Sequence, residues 1–115
     1  MRKKLHDFDK MLEGELRRIK KAPISKKNRQ LILRYTDYNI SRGLSKARTL
    51  RIAISLRLTA MRIKKDFTRF TRSDMEKLFL LLRKEGKSEA SIETCLLYTS
   101  DAADDMQCVD LGGRR

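Results

Sequence analysis

"TDYNISRGLSKARTLRI", Thr36 to Ile52, packs a helix end, a turn and a helix start into one short run. Gly43 suits the left-handed backbone that closes a helix at its C-terminus, because it has no Cβ to clash. Leu44, one position on, stands where a Schellman motif places its apolar contact. Ser45 then offers an oxygen to a free N–H in the first turn of the next helix. The stretch predicts two helices, 26–42 and 46–64, meeting at a tight corner.

Working outward toward the N-terminus, Ser25 caps the 26–42 helix. Leu31, Tyr35 and Tyr38 fall on one face of it, with Ile32 and Leu33 beside them. Before Pro23, which ends a helix, Leu5, Phe8, Leu12, Leu16 and Ile19 recur at steps of three and four. That spacing predicts an amphipathic helix over 3–21, weakened slightly by Gly14. Toward the C-terminus, Ala47, Leu50, Ile54, Leu58 and Met61 form one apolar stripe of the 46–64 helix, and Ile52, Leu56 and Ile63 a second. Between the stripes, Arg48, Arg51, Ser55, Thr59 and Arg62 share a narrow sector at 3.6 residues per turn. The expectation is a solvent-facing ridge that follows a phosphate backbone, or else an ordinary solvated face. In "KKDFTRFTRSDMEKL", Thr71 and Asp74 make a capping-box pair ahead of a helix over 72–84, which buries Met75, Leu78, Phe79 and Leu82. Gly86 ends it, and Ser88 caps a fifth segment, "SEASIET". No alternating Val/Thr/Tyr runs suggest strands. The expected fold is all-α, a bundle of four to five short helices.

The 115 residues hold one domain's worth of chain. Net charge is +13. Residues 95–115 hold four Asp and two Arg, so residues 1–94 carry 26 basic against 11 acidic residues, a net of +15. Such a surplus attracts polyanions, of which nucleic acid is the commonest inside cells; a membrane surface is the main rival. No apolar stretch reaches bilayer length, and the charged start "MRKKLHDFDK" has no signal-peptide core. The expectation is an intracellular, cytoplasmic protein.

Catalytic patterns are missing. His6 is the lone histidine, without a Cys or His at metal spacing. There is no phosphate loop, metal-binding Cys pattern or nucleophile elbow. Asp7 and Asp9 have nothing to aim them, and Tyr35 and Tyr38 read as packing residues. The chain is expected to be no enzyme and to hold no cofactor or metal. The Gly43 corner also fits a helix-turn-helix, with the 46–64 helix as the recognition helix of a small dimeric transcription regulator.

From Asn28 to Thr94 the sequence resembles the core-binding, SAM-like domain of tyrosine recombinases, the phage-type integrases, and within them the archaeal and archaeal-virus branch. Four motifs carry the likeness: "RYTDYNISRGLSK", "SLRLTAMRI", "KKDFTRFTRSDMEKL" and "GKSEASIET". The resemblance implies a helical domain that forms one half of a clamp on double-stranded DNA. It also implies a separate catalytic domain, with its arginines and tyrosine nucleophile, downstream of the matched region. Tyr98 does not take that role. Ser45, Lys46, Arg48 and Thr49 match the DNA-facing start of the family's basic helix. Helical geometry adds Arg51, Ser55 and Arg62. Lys26 and Lys27, opening the preceding helix, complete the expected DNA-contacting set. The parent recombinase would assemble as an oligomer on DNA, and this fragment would be monomeric.

"CLLYTSDAADDMQCVDLGGRR", Cys95 to Arg115, has a different character. Read back into codons, TGT CTC TTA TAC ACA TCT encodes its first six residues. This resembles the reverse complement of the mosaic end of transposase-based sequencing adapters, and the frame continues to Arg115. The expected division is therefore 1–23, an amphipathic helix or arm; 24–94, the core-binding domain; and 95–115, an artefactual tail that replaces the catalytic domain. Such a tail would extend the fifth helix by about one turn and be loose beyond Ser100. It contains both cysteines, Cys95 and Cys108, which then carry no redox or metal meaning.

Overall fold

The computed structural model describes the backbone from Lys3 to Asp110 and side chains over 8–106. Its decisive corner forms as the sequence predicts. Gly43 has φ +88°. The N–H of Leu44 donates to Asn39 O at 2.9 Å and that of Gly43 to Ile40 O at 3.1 Å, the two bonds of a Schellman motif. Gly86 repeats the device at φ +85°, with Lys87 N donating to Leu82 O and Gly86 N to Arg83 O. The starts are equally local. Oγ of Ser25, Ser45 and Ser88 accept from the N–H of Asn28, Arg48 and Ser91 at 3.1, 3.2 and 3.1 Å. Thr71 and Asp74 complete a reciprocal capping box.

Five helices result: α1 (Lys3–Lys21), α2 (Lys26–Ser41), α3 (Lys46–Arg62), α4 (Arg72–Lys84) and α5 (Glu89–Asp110), with a 3₁₀ turn at Phe67–Arg69 before α4. No strand occurs among the described residues. The fold is an all-α bundle. The first four helices keep the expected bounds to within two residues. The largest departure is α5, which runs unbroken through Cys95 and past Ser100 to Asp110. Ala102, Ala103 and Met106 are buried, so 101–106 is packed helix rather than loose chain. Gly112, Gly113, Arg114 and Arg115 lie outside the described residues, as do the side chains of Leu5, His6 and Cys108.

α3 lies at the centre and packs on α1, α2 and α5. One core joins Ile19, Leu31, Ile32, Tyr35, Ile52, Leu56, Phe67, Ala102 and Met106. A second joins Ile63, Leu78, Leu82, Ile92 and Cys95 beneath α4. Buried polar residues tie the elements together. Asn28 Nδ2 donates to Lys65 O at 2.8 Å, and Phe67 N donates to Asn28 Oδ1 at 3.0 Å. The start of α2 is thereby fixed to the corner after α3. Arg29 donates to the carbonyls of Ile19, Ala22 and Ile24 and so caps the end of α1.

Two expected apolar faces are redrawn. In α1, Phe8 is exposed, while Glu15 joins Leu12 and Ile19 in the buried line. The Glu15 carboxylate is paired with Arg57 of α3 and with Arg18 at 3.4 Å. In α2, Tyr38 faces solvent, whereas Asn28, Thr36 and Asn39 are buried.

Candidate nucleic-acid interface

The middle of the α3 sector expected to be a solvent ridge, Ser55 and Thr59, is the seam on which α5 docks. Thr59 is fully buried, its hydroxyl 3.1 Å from that of Thr99 and 3.5 Å from Cys95 Sγ. Ser55 is buried beside it, its carbonyl 3.9 Å from the same sulfur. Arg62, at the far end of the sector, grips Glu85 with two bonds, 2.7 and 2.6 Å, and donates to Leu58 O. The physical reason is α5 itself. Once it continues past Thr94, its small residues fill the groove that the sector would otherwise present to water.

The rest of the expected set divides. Thr49 is buried, and its hydroxyl donates back to Ser45 O at 2.9 Å. Ser45 is exposed but serves as a cap. Lys46 pairs with Asp9 at 2.7 Å. Lys27 is half-buried, and Lys26, Arg48 and Arg51 are exposed. Of the nine residues, Lys26, Arg48 and Arg51 have no ion-pair partner among the described residues and reach water.

Charge is arranged by the two ends of the α2–α3 pair, which the 16 residues of α2 hold about 24 Å apart. At one end, α1 runs into α2 through an acid-free span. From Leu16 to Thr36 there are eight Lys and Arg and no Asp or Glu. Lys64 joins this end, with Nζ 3.1 Å from Pro23 O. Asn28 brings Lys65 there too, though Lys65 is answered by Asp74 at 2.8 Å. Lys64 thus reaches the exposed Pro23, which lies two residues after Lys21 and three before Lys26 in the chain. A helix start adds its dipole to the same positive field.

The other end gathers Arg42, Lys46 and Arg48, but carboxylates from distant elements meet the first two. A cleft there is lined by Tyr35, Arg42, Arg48 and Tyr98 and by Asp101, Asp104 and Asp105. Tyr35 Oη donates to Asp105 Oδ2 at 3.0 Å, and Arg42 Nη2 lies 3.8 Å from the same oxygen. Burial pushes the Tyr35 phenol up to about 12, and its bond to Asp105 adds to that shift, while Asn39 and Arg42 pull the other way. Arg42 is held in place. Its guanidinium donates to Asn39 Oδ1 at 3.0 and 2.8 Å and lies over the Tyr38 ring, 4.9 Å from the centroid. Buried Asn39 leaves its Nδ2 without a hydrogen-bond partner among the described residues.

Among the described residues no cluster of His, Cys, Asp or Glu could hold a metal ion, and no helix is long and apolar enough to cross a membrane. The chain matches no family model, no curated protein and no solved structure.

Proposed function

We propose that this chain is a DNA-binding helical module that grips double-stranded DNA through its phosphates. The observation that carries the reading is the acid-free span from Leu16 to Thr36, with eight Lys and Arg, which folds across the α1–α2 end where Lys64 joins it. Clustered Lys and Arg bind polyanions by releasing condensed counterions, so affinity falls steeply with salt. The short motifs between Asn28 and Thr94 support a narrower form of the proposal. In it, the module is the core-binding half of a site-specific recombinase clamp, its catalytic domain replaced by residues 95–115. Binding is then monomeric and weak, and no strand cleavage accompanies it. The central, largely buried position of α3 favours backbone contacts over a recognition helix laid in the groove.

Fluorescence anisotropy with a short labelled duplex tests the binding reading across a salt series. The expected result is a steep linear fall of log affinity with log salt. Salt-insensitive binding, or equal capture by anionic vesicles in the presence of competitor DNA, overturns it. An independently sequenced copy of the gene tests the narrower form. It predicts a frame past codon 94 that encodes an Arg, a His-x-x-Arg and a late Tyr.

A further inference from the structure

The cleft at the covered end has two walls of opposite sign. Its α2–α3 wall presents the Tyr35 hydroxyl and the guanidinium groups of Arg42 and Arg48, while its α5 wall presents Asp101, Asp104 and Asp105. One carboxylate oxygen, Asp105 Oδ2, accepts a hydrogen bond from Tyr35 Oη at 3.0 Å and has the Arg42 guanidinium as an ion-pair neighbour at 3.8 Å. That is an anion site with an anion in it. Arg42 is set beforehand by Asn39 and by the Tyr38 ring, so little side-chain entropy remains to be lost on binding. Arg48 lines the same cleft without a carboxylate partner among the described residues.

We infer that the acidic turn Asp101–Asp105 of α5 is an internal competitor for nucleic acid: it fills a phosphate-binding cleft formed by Tyr35, Arg42 and Arg48. The inference rests on the DNA-binding reading above and holds for the chain that carries residues 95–115: it names what covers that surface, and on the narrower form of the reading the cover arrived with the tail. A phosphodiester carries the same sign of charge as Asp105 and offers oxygens suited to a guanidinium fork. The internal anion is weakly held. Asp105 and Arg42 are both more than two-fifths exposed, at 44% and 42%, so water screens their attraction. The three carboxylates also stand at i, i+3 and i+4 on α5, a spacing at which like charges repel. The cleft's cations offset that penalty, and a duplex would have to displace the same carboxylates to reach them.

The test compares two full-length variants of equal charge change by anisotropy on one duplex. D101N/D104N/D105N opens the cleft, while E76Q/E89Q/E93Q neutralises exposed acids that do not line it. The cleft variant is expected to bind about tenfold tighter than the control variant, with a salt slope steeper by about 2 as two arginines gain phosphates. Adding R42Q/R48Q to the cleft variant should erase the gain, while R42Q/R48Q in the parent chain should change affinity little. Circular dichroism melts confirm that the variants keep the helical fold. Equal tightening by the two acid-neutralised variants overturns the competitor role and leaves the DNA reading standing. No duplex binding by any variant overturns both.

Discussion

The two ends of the α2–α3 pair both carry cations yet present different surfaces. At the α1–α2 end, among the described residues, Glu15 answers Arg18 from the same helix and Asp74 answers Lys65 from nine residues away. At the Gly43 end, Asp9 reaches Lys46 from α1, and Asp105 reaches Arg42 from α5. A cation's availability is therefore decided by which distant helix passes over it. The positive field of the whole chain acts at long range, but contact with a phosphate is granted residue by residue.

The largest expected effect comes from loosening the cover of the Gly43 end at its root. Glu15 is buried and holds α1 to α3 through Arg57. Arg57→Ala leaves the buried carboxylate with only the exposed Arg18 and should cost about 3 kcal/mol of stability, read by urea denaturation. Because α1 also carries Asp9, the same variant should free Lys46, and duplex binding by the remaining folded protein should rise. A stability loss with no rise would separate the α1 anchor from the charge cover.

Next in size is Asn28→Ala, aimed at the open end. It strands the carbonyl of Lys65 and the N–H of Phe67, for an expected loss of about 2–4 kcal/mol by thermal or urea melting. The Lys64–Lys65 corner then loses its tether to α2. DNA binding should weaken at temperatures where the fold persists, which a purely internal role for Asn28 would not produce.

How much of this was legible follows from distance along the chain. Caps, capping box and Schellman turns are made by residues three to five apart, so Ser25, Gly43, Ser45, Thr71 and Gly86 mark their helices plainly. The fate of the Arg48–Arg62 sector was not legible. It is decided by α5, forty residues away, whose buried line of Cys95, Thr99, Ala102 and Met106 is small or weakly apolar and gives little periodic signal. Glu15 and Arg29 were hidden for a related reason: a charged residue reads as surface until its partner's position is known. The acid-free span from Leu16 to Thr36 is a pattern of charge alone, and sequence displays it without any structure.

A smaller effect, on binding alone, tests whether the open end is the one that meets DNA. Lys21→Gln with Lys26→Gln should flatten the salt slope by about 2, or about 0.9 per lost phosphate contact, and leave the melting curve nearly unchanged. Arg48→Gln in the otherwise unaltered chain should move the slope far less, because the α5 acids already shield its cleft. If Arg48→Gln has the larger effect, the assignment of open and covered ends is reversed.

The smallest effects separate the ends by the sign of their pH dependence. At the covered end, the Tyr35 phenol titrates at about 12 when folded and near 10.0 when unfolded. Its contribution to stability is complete below the lower value and disappears as pH climbs to the higher one. At the open end, the Lys65 ammonium, then the Thr71 N–H and hydroxyl, hold the Asp74 carboxyl below its ordinary range, against the opposing effect of burial. That contribution is present above the unfolded carboxyl value and is lost as pH falls through the folded one. Tyr35→Phe should therefore remove an alkaline loss of stability without touching the acid limb. Asp74→Asn should remove part of the acid loss without touching the alkaline limb. Melting temperatures across pH, with tyrosinate absorbance to follow Tyr35, check both. If Tyr35→Phe leaves the alkaline limb in place, the Asp105 bond is not what closes the cleft, and the cover of that end rests on Arg42 alone.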